Sequence, residues 1–231
     1  MTGPPDIAGA SAASTREIPY TVRRSARARR VRINVHAHTG VEVVLPTRAP
    51  ERAAAAAVSE LRPWIERRLA EGREVLEQLA RRGSTIPYLD RTLQLIAQPG
   101  RSRAHLRGEQ LLVPEGDPRA AIERFYRRAA RQEIAPRLDR ATALAGTPYG
   151  GLSIRAQRTR WASCSATGQM SFNWRLLLAP ESVLDYVVWH EVCHLDVPDH
   201  SPRFWALVER RWPRWREDRA WLRRHGATLV L

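Results

Sequence analysis

Lysine is absent from this 231-residue chain, so all 38 positions in its Lys+Arg total are arginine. That uniformity points to a coding bias toward arginine at least as much as to selection for phosphate contacts. It weakens what the formal net charge of +14 says about nucleic acid. Guanidinium groups still pair bidentately with phosphate, and so positive a chain is drawn to polyanions at low salt whatever its task. A nucleic-acid contact through the arginine-rich surface therefore stays open. Cysteine is scarce too: Cys164 and Cys193 are the two present. Two are too few for a disulfide framework or a four-cysteine zinc site, and they suit a reducing cytoplasm. No apolar run approaches the roughly 20 residues needed to span a bilayer, because Arg or Glu interrupts each candidate. The opening MTGPPDIAGASAASTREIPY lacks the basic start and continuous apolar stretch of a secretory signal. The expectation is a soluble, cytoplasmic protein with no membrane contact, whose residues 1–17 form a flexible tail.

What is present is an ordinary hydrophobic content of 43%, enough for a well-buried domain. Residues 20–22, 32–35 and 41–45 alternate apolar and polar positions, as half-buried strands do, with a turn at His38, Thr39 and Gly40. Arg23, Arg24, Arg27, Arg29, Arg30 and Arg32 beside them read as the solvated side of a hairpin before they read as a nucleic-acid patch. Helical spacing follows over residues 51–82, broken or kinked near Pro63 and ended at Gly83. Residues 89–97 and 104–113 read as short strands with Gly-bearing turns, and residues 118–145 as a helix that could bend before Pro136. Further strands are expected over 152–156, 160–165 and 170–174, and helices over 182–195, 204–210 and 214–224. The division expected is a tail (1–17), a β-rich region with a helical insertion (18–115) and a core (116–231), the last two able to form one domain.

Chemistry concentrates in the last third. Trp189-His190-Glu191-Val192-Cys193-His194 places two imidazoles four residues apart, hence on one face of a helix and one turn from each other. Catalytic zinc takes three protein ligands plus water, so a third must come from elsewhere. His200 is the best candidate, since Pro198 and Asp199 stop the helix and let the chain turn back; Asp196, Asp199 and Glu209 stand in reserve. Glu191 follows the first histidine, at an offset that lets its carboxylate meet a metal-bound water without ligating the ion, as a general base must. A bare HExxH pattern arises often by chance. Here the preceding Val183, Leu184, Tyr186, Val187 and Val188 make a core helix, where charged and imidazole groups are costly unless paired or metallated. Cys193 points about 100° away from His194 around such a helix and reads as a small buried hydrophobe, as does Cys164.

Arg160-Trp161-Ala162-Ser163-Cys164-Ser165, Phe172-Asn173-Trp174-Arg175-Leu176, the stretch around the two histidines, and His200-Ser201-Pro202-Arg203-Phe204-Trp205 together closely resemble the YgjP-like metallopeptidase family, related to the SprT-like and WLM zincins. The resemblance is specific over residues 153–221 and looser back to the basic hairpin. It implies a zincin-like α+β fold: a small antiparallel or mixed sheet beside an HExxH active-site helix, with an N-terminal β-hairpin region and further helices. It also implies one zinc ion held by His190, His194 and His200, Glu191 as catalytic base, and a peptide or protein substrate lying along the strand at 160–165 or its partner. Trp161, Ser163 and Asn173 are candidate substrate-binding residues. The family's Trp-Gly-Ser-Cys reads Trp161-Ala162-Ser163-Cys164 here, which puts in question any positive-φ requirement at residue 162. Two alternatives remain: a metal-dependent nucleotide phosphohydrolase, and a nucleic-acid-associated protein whose zinc is structural. A closed four-ligand site would favour the last, an open fourth position catalysis.

Overall fold

The computed structural model describes residues 17–36, 40–157 and 160–231. The expected N-terminal tail, apart from Glu17, and the turn at His38 and Thr39 lie outside the described residues. The chain divides into two compact units, one running to Leu76 and one from Glu77 to Leu231.

In the first unit, strands β1 (Tyr20–Ser25), β2 (Arg32–His36) and β3 (Gly40–Pro46) form a mixed sheet in the order β1-β3-β2. The middle strand is antiparallel to β2 and parallel to β1. Its alternation places Val41, Val43 and Leu45 on the core side, against Ile18, Ala54, Val58 and Ile65. Arg23 pairs with Glu42, Arg24 donates to the Thr47 and Ala49 carbonyls, and both side chains stay exposed. Helix α1 (Arg52–Glu60) gives way at Leu61 to α2 (Arg62–Arg82). The expected break near Pro63 thus falls two residues ahead of it, because a helix's first turn tolerates a residue with no N–H to give. Gly83, at φ +55°, ends α2.

The second unit holds two more mixed sheets. One runs in the order β4-β5-β7-β6, from β4 (Thr85–Tyr88), β5 (Arg91–Gln98), β6 (His105–Arg107) and β7 (Gln110–Pro114). Helix α3 (Arg119–Ala145) follows and continues through Pro136. The other sheet runs β8-β10-β9, from β8 (Gly151–Arg155), β9 (Ala162–Cys164) and β10 (Gln169–Asn173). A short 3-10 turn at Trp174–Leu178 leads to α4 (Glu181–Cys193), α5 (Pro202–Arg211) and α6 (Trp215–His225). The result is an α+β protein of six α-helices and small mixed sheets among the described residues.

One core serves this unit. Trp174, Tyr126 and Phe172 are wholly buried in it beside Ile134, Leu138 and Leu176, and each fully buried aliphatic side chain contributes about 1.5–3 kcal/mol. Helix α4 is buried on nearly every side, with Val183, Leu184, Val187, Val188 and Val192 in the core. This depth fixes the position of the polar residues at its end. Ala162 settles into ordinary extended backbone in β9; among the described non-glycine residues positive φ occurs at Leu89 alone. The Gly-to-Ala departure from the family pattern therefore imposes no backbone strain.

Candidate metal centre and its surroundings

His190 and Glu191 stand in the last turn of α4, and His194 is its C-cap residue at φ −70°, ψ −16°. Beyond it the chain tightens through bonds from the His194 N–H to the Glu191 carbonyl (3.1 Å) and from the Leu195 N–H to the Val192 carbonyl (3.1 Å). Pro198 cannot extend the helix, and the Asp199 carboxylate accepts the Ser201 N–H at 3.0 Å, turning the chain into α5 with Pro202 in its first turn. This reversal carries His200 back over the end of α4.

The three imidazoles converge. One ligand-capable nitrogen from each of His190, His194 and His200 lies within 4.8 Å of the others. The His190 and His200 Nε2 atoms are 3.1 Å apart, close to the roughly 3.3 Å that two tetrahedral ligands keep when each sits about 2.0–2.1 Å from a zinc ion. His194 Nδ1 lies 3.1 Å from the Val197 carbonyl. A carbonyl only accepts, so Nδ1 carries the proton and Nε2 is left with its lone pair, the arrangement of a histidine prepared to ligate. Burial, then the neighbouring imidazoles, hold His190 neutral by pushing its pKa down to about 3. The donor set fits a borderline divalent ion such as zinc. Phe204 walls the cluster, stacking on the His194 ring at 4.3 Å between centroids.

Glu191 is 5% exposed, among core residues. Its carboxylate accepts the backbone N–H of Cys164 in β9, while Oε2 is buried without a partner. Burial outweighs that one hydrogen bond and raises the Glu191 pKa to about 8. A carboxyl group tuned near neutrality, beside three imidazole lone pairs, can both take and return a proton.

The reserve ligands are engaged elsewhere: Asp196 with Arg211 (2.7 Å) and Thr147 (3.0 Å), Glu209 with Arg216, and Asp199 with Ser201. Cys193 is fully buried, and Cys164 is half-buried with its thiol pKa raised by burial. Asn173 is 2% exposed; its amide donates to the Gln157 (2.8 Å) and Arg160 (3.3 Å) carbonyls, and its oxygen accepts the Arg175 N–H. It holds the segment before β9 and caps the 3-10 turn. The Trp161 carbonyl accepts the Asn173 N–H at 2.7 Å, and its ring lies against Gly226. Ser163 sits mid-strand opposite Ser171. Trp161 and Asn173 thus frame β9, which carries the Cys164 N–H to Glu191.

Sequence reasoning passed over four neighbours of the cluster. Tyr186 lies one helical turn before His190, its ring 5.8 Å away; the i−4 spacing was a usable signal. Phe204, Trp205 and Arg219 arrive from α5 and α6, and only tertiary packing brings them in.

No curated protein matches the chain in sequence. Among solved structures, that of the metallopeptidase zymogen abylysin from Pyrococcus abyssi aligns at 26% identity with a TM-score of 0.35, over 39% of this chain and 93% of that one. The profile of the YgjP-like metallopeptidase domain matches residues 29–225. Spanning most of the sequence and the whole histidine cluster, that match makes the chain a member of the YgjP-like metallopeptidase family.

Proposed function

We propose that this protein is a zinc peptidase of the HExxH type with a zincin-like active-site helix, its ion held by His190, His194 and His200 and its proton transfers made by Glu191. The family supplies the coarser part, a metal-dependent peptidase acting on a peptide or protein. The observation that carries the finer part is the convergence of three imidazole nitrogens within 4.8 Å, with one tautomer already fixed toward ligation. Zinc in such a set supplies a Lewis acid that polarises a carbonyl and lowers the pKa of water toward 7.

The chain's own residues do the rest. Glu191 takes a proton from the attacking water and returns it to the leaving amine, a cycle that a pKa near neutrality suits. The Cys164 N–H orients the carboxylate. Strand β9 pairs with β10 alone among the described residues. Bonds from the Asn173 N–H to the Trp161 carbonyl and from the Ser165 N–H to the Gln169 carbonyl turn the odd-numbered residues toward β10. The backbone groups of Ala162 and Cys164 then face the other edge; with the Cys164 N–H taken by Glu191, the Ala162 N–H and carbonyl and the Cys164 carbonyl are what an extended peptide can pair with there. A reducing, cytoplasmic setting agrees with two free cysteines, and among the described residues no helix is long and apolar enough to cross a membrane.

The test is metal content and peptide cleavage in protein purified without a nickel column. About one zinc per wild-type chain, lost in His194→Ala and His200→Ala, together with cleavage abolished in Glu191→Gln at unchanged zinc content, is the expected result. Zinc retained in full by His200→Ala would move the third ligand elsewhere. A folded wild type that binds no metal sinks the reading.

A further inference from the structure

Beside the histidine cluster stands a cation with no assigned task. Trp205 is half-buried, its ring centroid 5.7 Å from that of His190 and 5.6 Å from that of His200. Trp215 stacks on it at 4.6 Å and 22°. The Arg219 guanidinium lies 4.6 Å from the Trp205 centroid and 5.9 Å from that of Trp215. Nearby Arg211, Arg214 and Arg216 each face a carboxylate, of Asp196, Glu217 and Glu209 respectively. Arg219 is exposed and, among the described residues, has no carboxylate partner.

Arg219 thus stands one indole ring away from both His190 and His200. A guanidinium resting on rigid indole faces loses little freedom when it binds, and its planar fork of N–H donors matches a carboxylate.

We propose that Arg219, displayed on the Trp205–Trp215 platform at the rim of the three-histidine cluster, anchors a carboxylate of the bound peptide and makes this enzyme prefer acidic substrates. The inference rests on the peptidase reading above and deepens it. A carboxylate can come from the peptide's own C-terminus or from an Asp or Glu side chain.

Binding to the full-length Glu191→Gln chain, with zinc added and again after chelation, separates these sources. Three pools of N-acetylated hexapeptides serve as probes: neutral with a free C-terminal carboxylate, neutral and amidated, and amidated but rich in Asp and Glu. The pool bearing the relevant carboxylate is expected to bind about tenfold tighter than the neutral amide, the scale of one charge-assisted bidentate contact in partial solvent. That ratio should fall to one in Glu191→Gln/Arg219→Ala and recover in part with Arg219→Lys. Preference for the free acid alone assigns the α-carboxylate, and preference for the acidic amide alone assigns a side chain. Equal binding of all pools, binding of none, or a ratio untouched by Arg219→Ala overturns the proposal. So does equal weakening of every pool, which marks Arg219 as merely a prop for the tryptophans. Near-UV circular dichroism checks that platform, and Arg219→Gln replaces the alanine variant if the latter fails to fold. Failure of the peptidase reading looks different: wild type neither keeps zinc nor cleaves, while the binding ratio still reports on Arg219.

Discussion

In the metal-free protein, Glu191→Gln should stabilise the fold, and the gain should grow with pH. The Glu191 pKa is about 8 in the folded chain against a reference of 4.5. Below about pH 4.5 both states hold the proton and the group contributes no pH dependence. Between 4.5 and 8 the unfolded chain releases its proton while the folded chain keeps it. The unfolded state then binds fewer protons, so stability falls by about 1.4 kcal/mol per pH unit. By pH 7 the accumulated penalty is about 3 kcal/mol, and it levels off once the folded carboxyl ionises near pH 8. Gln has the same shape and carries no such penalty. For a unit of this size the difference corresponds to about 6–12 °C in Tm at pH 7 and almost none near pH 4.5. The amide leaves one N–H₂ where Oε2 now lacks a partner, a cost that does not vary with pH; the slope is therefore the diagnostic. Calorimetry of chelator-dialysed wild type and variant at pH 5, 6, 7 and 8 measures it. A Tm difference that stays flat across that range refutes the argument that burial holds Glu191 protonated.

Other changes test the frame of the site. Asn173→Ala removes a buried amide that satisfies two carbonyls and one N–H and should cost about 2–4 kcal/mol in chemical denaturation; Asn173→Asp, which turns a carboxylate toward the Gln157 and Arg160 carbonyls, should cost more. Gly226→Ala would bring a methyl group to 2.9 Å from Trp161 Cζ2, an overpacking expected to cost about 1–3 kcal/mol and to disturb the near-UV signal. Arg137 gathers Glu133, Asp185 and Glu181 from α3 and α4 with its side chain 20% exposed. Arg137→Ala should lose about 2 kcal/mol at pH 7, below the roughly 3–5 kcal/mol for stranding a fully buried charge because solvent reaches these groups. The loss should shrink as pH falls and Asp185, whose pKa burial raises from its ordinary value, takes up a proton; a loss that does not change with pH would refute the electrostatic account.

The histidine spacing and the turn after Pro198 were legible because both are local: a helical period of 3.6 and a residue without an N–H leave direct marks in sequence. The α+β class was legible through alternation in β3 and the apolar run in α4. The hairpin between β4 and β5 was not, because Leu89 takes φ +53° where a glycine or asparagine signal would be sought. Nor did residue patterns disclose that Trp174 starts a 3-10 turn; that follows from Asn173 using its side chain as a cap. At the site, the Cys164 N–H on Glu191 was invisible because every residue has an N–H and only sheet register says which one is free.

Helix α4 ends where its two histidines stand, and its last carbonyls, of Glu191, Val192 and Cys193, accept the N–H groups of residues 194–197. The summed peptide dipoles give such a terminus about half a negative charge. Besides His190 in its last turn, α4 carries no basic side chain there to answer that charge. A dication held by the imidazoles would answer it instead, locking the last turn of the helix. Amide hydrogens from Glu191 to Val197 should then exchange more slowly with zinc than without, so that filling the centre also finishes the fold around it.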